Sequence, residues 1–229
     1  MTVHLVFDLI AATCASALTF AVYFWRLRAV AEDRLASAGP GYAFAALLGA
    51  AIGAYGLGTA NLWLSGIEGV GRSILGSLVG AIAGVELYKR AHKITGSTGV
   101  IFVAGFTATI VIGRLGCFFA GLDDHTFGTP TDLPWGVDFG DGIARHPVQL
   151  YESGIMAAFL VIALILLARR SPWFLTNGFY LMCATYGVQR FGLEFLKPYA
   201  TVLGPLNIFH VACLGLIFYA VKMIRRPNV

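Results

Sequence analysis

Continuous apolar runs, each about as long as a bilayer is thick, dominate this chain. A helix needs about 20 mostly apolar residues to cross roughly 30 Å of hydrocarbon. Candidate spans lie near 3–25, 42–65, 73–88, 99–119, 148–168, 177–196 and 203–224. Strands of a transmembrane barrel would alternate apolar and polar residues at period 2, and these runs do not alternate. Charged residues make up 12% of the chain and hydrophobic ones 58%. An ordinary soluble domain carries roughly 25% charge, so too little polar surface remains to clothe a soluble globule. That excludes disorder, a coiled coil, a disulfide scaffold and a nucleic-acid binder. The expected architecture is all-α: a polytopic membrane protein of seven transmembrane helices. Residues 1–229 form one transmembrane domain with an outer-face loop at about 120–147.

The third run is short, but Gly76, Gly80 and Gly84 give it small-xxx-small spacing, which lets two helix backbones approach closely. It reads as a packed interior span. The first run has no basic residue before it and carries Asp8 within it. Arg26, Arg28 and Arg34 follow it, an order reversed from that of a cleaved secretory signal. It reads as a first span with its N-terminus outside.

Basic residues test all seven spans together, because cytoplasmic loops carry the excess of lysine and arginine. Arg26, Arg28 and Arg34 follow span one; Lys89, Arg90 and Lys93 follow span three. Arg169 and Arg170 follow span five; Lys222, Arg225 and Arg226 follow span seven. Eleven of the 16 lysines and arginines thus fall on one side, which places the N-terminus outside and the C-terminus in the cytoplasm. The five exceptions are Arg72, Arg114, Arg145, Arg190 and Lys197, and four of them sit in three polar segments on the outer side.

The first segment is Gly113-Arg114-Leu115-Gly116-Cys117-Phe118-Phe119. An arginine near a span end can simply snorkel to the headgroups, but flanking glycines permit a tighter placement beside a neighbouring helix or ligand. The second is Arg145-His146-Pro147-Val148-Gln149-Leu150-Tyr151-Glu152. Pro147 suits the first turn of a helix, which puts Arg145 and His146 just before an anion-attracting N-terminus. Gln149 and Glu152, three apart, share a face. The third is Tyr186, Arg190, Glu194 and Lys197, whose spacings of 4, 4 and 3 form one helical stripe. Charges within a membrane are costly and normally face the bundle interior. Together these segments offer three arginines, a lysine and a histidine, with Glu152 and Glu194 to hold their geometry. Arginine forks match phosphate oxygens bidentately, so the expected ligand is the phosphodiester headgroup of an anionic lipid in the outer leaflet.

The segments G-R-L-G-C-F-F, R-H-P-V-Q-L-Y-E and Y-G-V-Q-R-F-G-L-E-F-L-K resemble those of bacterial prolipoprotein diacylglyceryl transferases over roughly residues 70–225. The resemblance implies a transferase of lipoprotein biosynthesis in the bacterial inner membrane, its active site facing the periplasm or outer leaflet. Such enzymes move the diacylglyceryl group of phosphatidylglycerol onto the lipobox cysteine thiol of a prolipoprotein and release glycerol 1-phosphate. By the resemblance, Arg114 and Arg190 bind the phosphate, with His146 and Glu194 also in catalytic positions. Arg145, Gln149, Tyr151, Glu152, Tyr186 and Lys197 would line the substrate site. No cofactor is expected.

The sequence departs from the family pattern at several positions. Leu75 stands where the family carries the histidine of a His-Gly-Gly motif, Cys117 replaces an asparagine, and Ala120-Gly121-Leu122 replaces Asn-Gly-Glu. Candidate bases are therefore His146, favoured by its motif position, and His125, Asp123, Asp124 and Glu194. Two alternatives stay open: a related transferase that gives the lipid group to another acceptor, and a non-catalytic lipid-binding protein or transporter.

The four cysteines (Cys14, Cys117, Cys183, Cys213) show no C-x-x-C spacing, so no disulfide or metal framework is read from them. Cys117 reads as a packed thiol or as a nucleophile in a two-step transfer. His4 and His210 read as satisfied core histidines.

Overall fold

The computed structural model describes residues 2–226; the side chains of Thr2 and of 33–37, Arg34 among them, lie outside the described set. Among the described residues the chain is helical apart from one small hairpin. Its elements are α1 (Thr2–Val22), a π-helical turn (Tyr23–Leu27), α2 (Arg28–Ala38), α3 (Pro40–Leu64), α4 (Ile74–Ala91) and α5 (Val103–Ala120). They continue with β1 (Val137–Asp138), β2 (Ala144–Arg145), α6 (Val148–Ala168), α7 (Pro172–Glu194) and α8 (Ile208–Ile224). Among the described residues, four helical stretches are long and apolar enough to cross a membrane: Val3–Glu32, Pro40–Leu64, Gly99–Asp124 and Val148–Ala168. The remaining expected spans correspond to α4, α7 and α8, which are helical but shorter or more polar.

Helix boundaries follow local chemistry. Ser171 caps α7 by accepting from the Phe174 amide, with Pro172 in the first turn, so this helix begins five residues earlier than hydropathy alone suggests. Asn207 caps α8 and forms a reciprocal capping box with His210. The start of α8 therefore lies at Ile208 rather than 203, because 202–206 is closed into a turn bridging Leu203 and Leu206. His210 is buried as part of that cap.

The chain divides into two compact units. One comprises residues 29–98 and 199–229, and its seam is made of glycine. A Cβ at Gly49 would overlap the Gly80 carbonyl; one at Gly53 would overlap that of Gly76; one at Gly84 would overlap that of Ala45. The backbones of α3 and α4 are thus in direct contact through the small-residue stripe read from the sequence. Ser73 caps α4 through the Gly76 amide at 3.1 Å. Buried Lys89 donates to the Gly96 carbonyl at 2.8 Å.

The other unit comprises residues 1–28 and 99–198. Here α5 packs on α1, with Gly105 against Thr19 and Gly116 against Phe7, and α6 joins α5 through Ser153 Oγ, which donates to the Val111 carbonyl at 2.9 Å. Along α6 the buried positions Gln149, Glu152, Ser153, Met156, Phe159 and Ala163 recur at helical spacing, while Ile155, Val161, Ile162 and Ile165 point outward. The polar residues of this helix thus lie on its buried face, and the outward face is aliphatic, the arrangement hydrocarbon favours.

The segment between α5 and α6 is ordered by its own hydrogen bonds. The Thr129 amide donates to the Leu196 carbonyl at 2.7 Å, and the His146 amide to Thr129 at 3.1 Å. β1 pairs antiparallel with β2. In the turn between them Asp138 Oδ1 accepts from the amides of Gly140, Asp141 and Gly142, and the two glycines take the positive φ it requires (+105° and +79°). Arg145 closes the hairpin with a bidentate pair to Asp141, both contacts at 2.7 Å, and lies over the Phe127 ring. That guanidinium holds the Asp141 carboxyl below its ordinary value.

Two outcomes are expected. Gly80→Val drives a side chain into the Gly49 carbonyl and should lower stability by about 1–3 kcal/mol, read as a fall in melting temperature in detergent micelles. Because the folded Asp141 pKa is depressed, its contribution is complete above the ordinary aspartate value and is lost as pH falls through the folded value. Hydrogen exchange over 137–145, corrected for intrinsic rate, should therefore rise on acidification in the wild type. In Asp141→Asn it should be raised already at neutral pH.

Candidate functional site

Glu152, with no exposed surface, lies in the first turns of α6 and gathers three cations from three other stretches of chain. Arg114, near the end of α5, pairs with Oε2 through Nε. Arg190 on α7 reaches both oxygens through Nη1, at 3.0 and 3.2 Å. Lys197, just past α7, donates to Oε1 at 2.8 Å. Glu194 forms the second anionic pole: its Oε2 is 2.9 Å from Arg190 Nε and 3.8 Å from Lys197 Nζ. All five residues are buried.

The geometry follows from the helices. Arg190, Glu194 and Lys197 succeed one another at four and three residues, so one face of α7 and its continuation carries all three. Tyr186, fully buried, sits one turn earlier on that face. Arg114 sits one turn beyond Val111, where Ser153 of α6 bonds to α5, while Gly116 on the same helix packs against Phe7 of α1. The two arginines expected to converge do so, through a shared carboxylate. Three cations face two carboxylates, leaving an excess of one positive charge among these five side chains.

The remaining candidates are distributed around this centre. Gln149, on the Glu152 face of α6, is fully buried; its Nε2 lies 3.5 Å from Thr126 Oγ1, while its Oε1 has no hydrogen-bond partner among the described residues. His146 stands just before α6, its ring 6.3 Å from that of Tyr151, and its buried Nδ1 is likewise without a hydrogen-bond partner among the described residues. The Tyr151 hydroxyl accepts from Trp135 Nε1 at 2.7 Å, which anchors the loop between α5 and α6 to α6. Arg145 is not drawn into the cluster; Asp141 holds it in the hairpin. Pro147 occupies the cap position itself rather than the first turn.

One grouping was not read from the sequence. His4, taken there as a core histidine, is partly exposed and pairs with Asp124. Cys117 lies beside them, with its Sγ 3.9 Å from Arg114 Nη1. His4 and Cys117 are too far apart in sequence for any spacing rule to join them.

Glu152 is expected to be the least replaceable member of the cluster. Glu152→Ala leaves three buried cations with one carboxylate and should cost about 3–5 kcal/mol, measured as loss of melting temperature in micelles. Asp141→Ala, which removes an exposed partner, should shift it far less.

Comparison with known proteins places this arrangement. The chain matches the family described as prolipoprotein diacylglyceryl transferase over residues 7–226, a wider stretch than the motif segments alone. It is similar to proteins named phosphatidylglycerol–prolipoprotein diacylglyceryl transferase. That of Methylococcus capsulatus is 32% identical over 67% of this chain and 60% of its own length. That of Nitratidesulfovibrio vulgaris is 32% identical over 68% of this chain and 60% of its own. That of Roseobacter denitrificans is 34% identical over 56% and 47%. The aligned region thus spans 60% or less of the length of these relatives. No solved structure matches the chain. The match over residues 7–226 shows that this chain belongs to the prolipoprotein diacylglyceryl transferase family.

Proposed function

We propose that the protein transfers the diacylglyceryl group of phosphatidylglycerol to the lipobox cysteine thiol of a prolipoprotein, with release of glycerol 1-phosphate. The observation that carries this reading is the buried charge cluster with its single excess positive charge. A phosphodiester is a monoanion and supplies the missing charge. Arg114 and Arg190 grip its oxygens, and Glu152 and Glu194 fix the two guanidinium planes against each other. As the thiol sulfur attacks the sn-3 carbon, negative charge gathers on the departing phosphate oxygen. Donors held in advance in a water-poor site stabilise that charge without reorganising.

His146 and Gln149 offer the unsatisfied polar atoms at the edge of the cluster. Tyr186 lies one turn from Arg190 on the same face, Lys197 adds charge, Tyr151 ties the loop to α6, and Arg145 closes the hairpin. The basic residues following spans one, three, five and seven support an inner-membrane chain of seven spans acting as one transmembrane domain. In that orientation the N-terminus, the 120–147 loop and the cluster face the periplasm or outer leaflet.

The test is transfer from labelled phosphatidylglycerol to a lipobox peptide. Arg114→Ala and Arg190→Ala should each lower the rate by about 10²–10³, the usual effect of removing one such donor. Full transfer by both variants rejects the clamp, and equal transfer to a peptide with serine in place of its cysteine rejects the thiol acceptor.

A further inference from the structure

His4, Cys117 and Asp124 come from three separate elements: the first turn of α1, the last turn of α5 and the short 3₁₀ turn Gly121–Asp124. Their ligand atoms all lie within 4.8 Å of one another. His4 Nε2 already pairs with Asp124 Oδ1, and the Thr126 hydroxyl donates to Oδ2 of the same carboxylate. That bond leaves the first oxygen turned toward the histidine, an orienting contact of the kind that fixes metal-binding carboxylates. The side chains of His4 and Asp124 are 27% and 12% exposed, sheltered yet open enough for an ion to enter. An imidazole, a thiolate and a carboxylate together form a zinc donor set. The two anionic donors match a divalent charge, and three protein ligands on a tetrahedral ion leave one position open.

We propose that His4, Cys117 and Asp124 bind a divalent ion of the zinc class, whose open position takes the sulfur of the thiol acceptor. The second half rests on the function proposed above. The site adjoins the phosphate clamp, since Arg114 Nη1 lies 3.9 Å from Cys117 Sγ. A thiol that coordinates zinc is deprotonated on binding, and its proton passes to water. The metal-bound sulfur then forms the S–C bond to the sn-3 carbon. The carbon–oxygen bond breaks, and its electron pair stays on the phosphate oxygen held by the arginines. The product is a neutral thioether, a weaker ligand that leaves the metal.

The experiment uses the full chain in detergent micelles, stripped of metal and titrated with Co²⁺. One equivalent should bind with thiolate-to-cobalt charge-transfer absorption, and Zn²⁺ should displace it. Cys117→Ser should lose that absorption, while His4→Ala and Asp124→Asn should bind at least about tenfold more weakly. In the unaltered protein, where misfolding of a variant plays no part, Zn²⁺ should protect Cys117 from maleimide labelling. Failure of Co²⁺ to saturate, an unchanged spectrum in Cys117→Ser, or equal labelling with and without Zn²⁺ overturns the site and leaves an ion pair only. A lipobox peptide should then shift the cobalt spectrum, whereas its serine version should not. Cobalt binding with no response to the cysteine peptide overturns the acceptor role and leaves the metal site standing. A response without transfer from phosphatidylglycerol counts against the proposed reaction and not against the metal.

Discussion

A carboxylate with no access to water cannot stay charged unless cations surround it, and Glu152 is that carboxylate. Its three partners arrive from α5, from α7 and from the residues just beyond α7. The positions of these elements are thus coupled through one side chain. Charge lattices of this kind are weak sources of stability, since packed hydrophobic residues of the same volume commonly do as well. On the function proposed here, five buried ionic residues in so apolar a chain are explained by the anionic lipid phosphate they bind, whose sign matches their excess positive charge.

The two compact units solve the packing problem by different means. In the unit containing α3 and α4, glycines bring backbone against backbone, and dispersion over closely fitted surfaces does the holding. Within the unit containing α1, α5, α6 and α7, glycine is used more locally, at Gly105 and Gly116, where α5 packs on α1. There the segment between α5 and α6 is also fixed, by Thr129 to Leu196, by Trp135 to Tyr151 and by the Asp138 turn. A segment tied at so many points is a structured part of the unit and not a loose tether.

The sequence made the helices legible wherever chemistry marks an end or a face. Gly76, Gly80 and Gly84 announced a close contact, and the stripe from Tyr186 to Lys197 announced a buried polar face. The convergence of Arg114 with Arg190 was legible only through the cost of burying charge, which demands a common partner; that the partner is Glu152 required the fold. Helix starts were misread at α7 and α8 because hydropathy averages over windows, while Ser171 and Asn207 act at single residues. The π-helical turn at Tyr23–Leu27 and the continuation into α2 had no signal in an apolar count. Arg145 and Arg114 looked alike in sequence, each beside glycine-rich or polar surroundings. Only the hairpin's Asp141 separates them, and local charge four residues upstream was the clue available. The meeting of His4, Cys117 and Asp124 depends on how α1 packs on α5, which no local pattern encodes.

The engagement of Arg145 by Asp141 changes the charge arithmetic of the site. With Arg145 counted in, the cluster would carry two excess positive charges and would suit a phosphate monoester. Held in the hairpin by a bidentate pair, that arginine is neutralised, and the cluster keeps one. A phosphodiester satisfies it, whereas the monoester left after cleavage carries about −1.5 to −2 near neutral pH. On the function proposed here, substrate and product differ by roughly the charge the site lacks. The lipid phosphate is matched on arrival, and the small phosphate product is overcharged for its pocket and drawn toward water.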